Sequence, residues 1–228
     1  MENLTKSGYS INFPPELKNL VEDSIENANS NREYLYNLFE IKEFDTIHAS
    51  YFSNREDFVN HIKNLNDGLE PPKFASGCFY NNEIQVLVDT TNNFNMKRKI
   101  YTLKHETIHL FFNYFYNKYN LERISWLDES FACYLDGHNC LLPNNYIENK
   151  VKFLKNYEKF DINQLKFLKN DEINIYDIYY LIGKYIFENH LETEILTILK
   201  TNQKQIANQS ITIINQGLNY LDKKEKTF

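Results

Sequence analysis

The chain has 228 residues, 42% hydrophobic and 25% charged, enough for one domain of two small lobes with a real core. Its formal net charge is −6, with acids and bases interleaved and no long basic block, so nucleic acid is not an expected partner. No run approaches the roughly 18 apolar residues of a membrane span, Met1–Lys6 lacks the apolar core of a signal peptide, and Cys78, Cys133 and Cys140 have no CxxC spacing. A cytoplasmic protein with reduced thiols and no membrane partner is the expectation.

Pro14-Pro15 opens a helical segment from Glu16 to about Phe39, with a break near Asn27 to Asn31. Phe44 to Phe52 has the β-branched and aromatic character of a strand. Asn54 to Leu65 predicts a helix with Asn54 as its cap and Phe58, Ile62 and Leu65 on one face. After the loop marked by Asp67-Gly68 and Pro71-Pro72 comes a hairpin, with arms Phe74–Tyr80 and Glu83–Asp89 about an Asn81-Asn82 turn. In the second arm Ile84, Val86 and Val88 alternate with Gln85, Leu87 and Asp89, the period of a half-buried strand. From there the chain reads as helical: about Met96 to Tyr119, Trp126 to Asp136, Tyr146 to Tyr157, Ile173 to His190, and one or two helices towards Leu221. The whole pattern is α+β, strands first and helices later.

His105-Glu106-Thr107-Ile108-His109 is an HExxH motif inside the Met96–Tyr119 helix. Residues i and i+4 stack on one helix face, so both imidazoles can reach one metal ion. Glu106 lies beside that face, where it can address a metal-bound water as general base. Such a motif arises by chance in about one chain in a hundred of this composition. The apolar wrapping by Ile108, Leu110, Phe111, Phe112 and Phe115 argues for a buried helix rather than a surface cluster.

A catalytic zinc needs a third protein ligand and an open position. The metzincin extension would require Gly at 112 and His at 115, and this chain has Phe112 and Phe115. Glu129, twenty residues after His109, is the best candidate; Asp136 and His138 remain alternatives. Ser125 and Asp128 suggest a capping box for the helix that carries Glu129, and Gly137 is a natural stop.

HETIH followed by Trp126-Leu127-Asp128-Glu129-Ser130-Phe131-Ala132 resembles the gluzincins, zinc peptidases of the aminopeptidase N and thermolysin clan and their small peptidase-MA-like relatives. The resemblance covers about Phe74 to His190. It implies a zincin-like fold: an N-terminal lobe, about 1–120, with a small sheet and the active-site helix, and a mainly helical C-terminal lobe, about 121–228, with the active site in a cleft. It implies Zn2+ held by His105, His109 and Glu129, with Glu106 as the catalytic carboxylate. Tyr180-Leu181-Ile182-Gly183 is similar to the family's Tyr-x-x-Gly, which implies Tyr180 as an oxyanion donor. The family layout also implies an edge strand at Ile84–Asp89 that pairs with extended substrate, with Gly77, Cys78, Ile84 and Val86 in substrate binding.

Two departures stand out. Ser130 replaces the family's usual Gly after the ligand glutamate, and Ser76-Gly77-Cys78-Phe79-Tyr80 replaces the Gly-x-Met-Glu-Asn motif that anchors a free substrate amine. The expected activity is hydrolysis of peptide bonds in a peptide or protein. The alternatives are a regulatory protease with one protein substrate, a zinc-stabilised interaction domain without turnover, and a metal-free helical protein.

Overall fold

The computed structural model describes residues 1–42, 46–73, 75–88, 93–137, 139, 175–209, 212–213, 215–217 and 219–220. The segment expected at Tyr146–Tyr157, the strand ends at Phe44, Phe74 and Asp89, and His138 and Cys140 lie outside the described residues. The chain is α+β and divides into two compact units, Met1–Phe115 and Tyr116–Phe228.

The first unit is built on a five-stranded mixed sheet in the order β1-β2-β3-β5-β4. β1 (Glu2–Lys6) and β2 (Tyr9–Phe13) form a hairpin that is not among the expected elements. Its two-residue turn, Ser7-Gly8, has positive φ at both positions, the backbone whose twist suits tight hairpins. The second hairpin, β4 (Gly77–Tyr80) and β5 (Glu83–Leu87), repeats the device with Asn81 and Asn82. β3 (Ile47–Phe52) pairs in parallel with both β2 and β5.

Between β2 and β3 the chain forms a 3-10 turn (Pro15–Leu17), α1 (Lys18–Asn29) and α2 (Arg32–Leu38), with the expected break at Ser30-Asn31. α3 (Arg55–Leu65) follows β3, and the Asn54 side chain caps it by accepting from Asp57 N at 2.9 Å. α3 covers one end of one sheet face through Phe52, Phe58 and Ile62. The opposite face carries the main core, where Tyr9, Ile11, Phe13, Ala49, Tyr51, Ile84 and Val86 meet Leu17, Val21 and Ile25 of the α1 region and Leu103 and Leu110.

Met96–Tyr119 is two helices rather than one. α4 (Asn93–Lys99) and α5 (Thr102–Tyr119) are separated at Ile100-Tyr101. α5 runs across the boundary between the two units. Within the first unit Phe39 inserts among its aromatics, with ring centroids 4.8 to 6.0 Å from Phe111, Phe112 and Phe115.

The described elements of the second unit are all helices. Asn120, in the left-handed region, ends α5, and α6 (Ser125–Leu135), α7 (Ile175–Glu188), α8 (Glu192–Thr201) and α9 (Gln203–Ala207) follow. Ser125 is the first residue of α6, not its cap: Ile124 occupies the cap position and no side chain caps it. Asp128 instead accepts from Arg123 Nε at 2.6 Å. Gly137, at φ +85°, follows the helix end as expected.

α6 and α7 pack at very short range. A Cβ built on Gly183 would lie 2.2 Å from the Ser130 backbone oxygen and 2.7 Å from Tyr134 Cβ. Around that crossing, Phe187 stacks on Tyr134 at 5.1 Å and meets Phe131 edge-on at 4.8 Å. Among the described residues, no helix is long and apolar enough to cross a membrane.

Candidate metal centre

Three strips of α5 define the first half of the site. Leu103 and Leu110 face the sheet core, and Thr107, on the same side, bonds through Oγ1 to the buried Tyr9 hydroxyl of β2 at 3.2 Å. Thr107 also donates to Leu103 O at 2.7 Å, so its oxygen accepts from Tyr9. That bond fixes the rotation of α5 about its own axis. The next strip holds Thr102 and Glu106, one turn apart, both against Gly77 of β4. Beyond it come His105 and His109.

The two imidazoles face one another, with Nε2 atoms 3.1 Å apart and rings at 80°. Two nitrogens bound to one tetrahedral zinc at about 2.0–2.1 Å lie about 3.3 Å apart, so the pair has the spacing of two ligands on one ion. One ligand-capable atom from each of His105, His109 and Glu129 lies within 4.8 Å of the others, and among the described residues this is the one such His/Cys/Asp/Glu group. Two neutral-nitrogen donors and a carboxylate are a donor set that zinc takes in catalytic sites. Asp136, the alternative third ligand, is buried on α6 but is not in the group.

Glu106 is 8% exposed. Its charge reaches the edge strand: the Cys78 thiol is pushed up to about 12, by burial first and the Glu106 carboxylate second, with Arg55 opposing. Gly77 and Cys78 therefore lie beside the general-base candidate. Ile84 and Val86 do not fit the expected role. Their strand, β5, is interior, flanked by β3 and β4, and both side chains are fully buried in the sheet core. Gln85, expected on a solvated face, is also fully buried. The edge strand of this hairpin is β4, because β3 takes the outer side of β5 through a long-range parallel pairing.

In the second unit Glu129 sits on the first turns of α6. The link before it is tied down at several points: Leu121 N donates to Tyr116 O at 2.9 Å, Ile124 N donates to Tyr116 Oη at 3.3 Å, and the Gln203 side-chain amide bonds both backbone groups of Glu122. Asp128, next to Glu129 in sequence and 2% exposed, accepts from Arg123 Nε at 2.6 Å. The Tyr179 phenol feels the Glu129 carboxylate: its pKa is pushed up to about 12, by burial first and then by Glu129 and Cys133. Tyr180 packs against the Tyr134 ring, with centroids 5.9 Å apart. Tyr179 and Gly183 are one turn apart, on the side of α7 that meets α6; a helical-wheel reading anchored on Gly183 would have picked out Tyr179 as well as Tyr180.

A scan of protein-family models and a search of curated proteins give no match to the chain.

Proposed function

We propose that this chain is a zinc metallopeptidase of the gluzincin type with a zincin-like fold, acting in the cytoplasm on peptide or protein substrates. The observation that carries the reading is the pair of imidazole nitrogens 3.1 Å apart one helical turn from each other, with Glu106 on the adjoining strip of the same helix. The grouping of the Glu129 carboxylate with them supports a three-ligand site. His105, His109 and Glu129 would hold the ion, and Asp128 would help fix the turn that carries Glu129.

Zinc bound there supplies Lewis acidity towards the scissile carbonyl and lowers the pKa of the attacking water. Glu106 takes the proton from that water and delivers it to the leaving amine nitrogen. Its low exposure keeps bulk water from competing for the proton. The outer edge of β4, which pairs with no other described strand, is at Gly77 and Cys78 the place for an extended substrate backbone. A phenol on α7 is the donor for the oxyanion; the Tyr180 assigned by resemblance and the Tyr179 beside Glu129 are separated by Tyr→Phe exchange at each position.

Elemental analysis of purified wild type and Glu129→Ala tests the metal site. About one zinc per chain in wild type and a large loss in the variant are expected. Glu106→Gln should keep its zinc and lose at least about 10²-fold in peptide-library turnover. Wild type without zinc after metal is added back sinks the reading. Zinc retained in Glu106→Gln together with no turnover in wild type points to the zinc-stabilised interaction domain instead.

A further inference from the structure

Gly77 has no conformational reason to be glycine. The glycines with positive φ are Gly8, Gly68 and Gly137, and Gly77 is not among them. It has a steric reason. A Cβ built on it would lie 2.6 Å from Glu106 Oε1 and 2.7 Å from Thr102 Cγ2, both far closer than real Cβ contacts allow. Neither atom belongs to the backbone. Both are ends of side chains one turn apart on α5, which present a single strip to β4.

The kind of atom met decides what a side chain at 77 would do. A clash with backbone would push β4 and α5 apart and damage the fold. A clash with the end of a glutamate is relieved by rotating that glutamate, at the expense of where its carboxylate sits. Glu106 is 8% exposed, so its carboxylate is confined by what packs around it, and Gly77 forms one wall of that confinement. We propose that Gly77 is a positioning residue, whose missing side chain lets the Glu106 carboxylate seat directly against the edge strand β4. The inference rests on the reading of Glu106 as the general base. It gives Gly77 a role through Glu106, distinct from any backbone contact to substrate. A base must stand within hydrogen-bond reach of the proton it takes, and displacement of about 1 Å lowers rate by about 10²-fold.

The test is a double-mutant cycle on the full chain, read first without metal or substrate. Gly77→Ala should lower the Tm of the metal-free protein by about 2–4 °C. In a Glu106→Ala background the same substitution should lower Tm by measurably less, because the carboxylate it collides with is gone and only the Thr102 Cγ2 contact remains. Loaded with zinc, Gly77→Ala should bind the ion at wild-type stoichiometry, keep KM within about two-fold and lose about 10²-fold in kcat. Equal Tm losses in the two backgrounds, or a kcat within about three-fold of wild type, overturn the inference. Should Gly77→Ala fail to fold, the cycle is repeated with Gly77→Ala/Thr102→Ser, in which the Cγ2 contact is removed and only Glu106 must yield. A chain that folds in neither form also overturns it, since a flexible carboxylate would then not be absorbing the clash. A wild-type protein that takes up no zinc overturns the peptidase reading instead, and the Tm cycle still reports on Gly77.

Discussion

Gly77 in the first unit and Gly183 in the second are both pressed against a neighbouring helix, and they are pressed against different things. In the first unit Gly77 meets the ends of the Glu106 and Thr102 side chains; in the second Gly183 meets the backbone oxygen of Ser130 and the Cβ of Tyr134. The first contact is adjustable, because a rotamer change relieves it. The second is rigid, because only a shift of α7 away from α6 makes room. A substitution at the first therefore perturbs a position and at the second a helix crossing, although by geometry alone both are tight.

The largest expected effect follows from that rigidity. Gly183→Ala should destabilise the second unit by about 3 kcal/mol, the upper range for overpacking, read by urea unfolding. Trp126 is the chain's one tryptophan and lies in α6, so its fluorescence reports the second unit directly. An unchanged midpoint there would mean that the crossing adjusts as easily as the Gly77 contact does, and the contrast would fall.

Next is the pair that holds the start of α6. Arg123→Gln strips the buried Asp128 of its cation, and with Arg123 57% exposed the expected loss is about 1–2 kcal/mol, between surface and buried ion pairs. The same variant should weaken zinc binding without abolishing it; unaltered affinity would detach Asp128 from the metal site. In the first unit, Asn54→Ala removes the α3 cap and should cost about 1 kcal/mol. That loss should appear in far-UV circular dichroism. If the Trp126 midpoint moves with it by the same amount, the two units unfold as one.

Thiol labelling gives the smallest and sharpest comparison. Cys78 is half-buried and Cys133 buried. Burial raises both, with Glu106 adding at Cys78 and Asp136 and Glu129 at Cys133. Neither should alkylate appreciably at pH 8, since the thiolate is the reactive form. For Cys78 the folded value, about 12, lies above the ordinary one of 9.0. The folded state thus holds the proton more tightly, and this contribution to stability is intact below about pH 9 and lost as pH climbs towards 12. Labelling assigned by mass spectrometry should reach Cys78 first as pH is raised, and Cys133 only on unfolding. Rapid labelling of Cys133 in the native protein would show that the second unit opens on its own.

Legibility in the sequence followed the range of the interactions involved. The HExxH spacing, the Asn54 cap, the Asn81-Asn82 turn and the break at Ser30-Asn31 are all set within a few residues, and each was readable. Strand order is set by partners far apart in the chain. Nothing local to Ile84 and Val86 announces that β3 will pair on their outer side, which moves the edge to β4 and buries Gln85. The β1–β2 hairpin is not legible because β1 carries a single apolar residue, Leu4, and so shows no period, although Tyr9, Ile11 and Phe13 of β2 alternate. Ser125 was read as a cap because local chemistry favours it, while Asp128 was drawn instead to Arg123. Tyr179 and Tyr180 are neighbours on one turn, and the proximity of Tyr179 to Glu129 follows from the close crossing of α6 and α7 at Gly183, which no local pattern announces.

The N-terminal hairpin has a consequence for handling the protein. β1 contributes little to the interior, being exposed at four of its five positions, yet it pairs along the whole of β2, whose Tyr9, Ile11 and Phe13 are wholly inside. It acts as a cover strip for an apolar strand. Trimming the first six residues would leave the core nearly untouched while opening a row of unsatisfied peptide groups on β2, a ready template for another chain. Such a truncation would therefore fail by clumping in solution sooner than by melting.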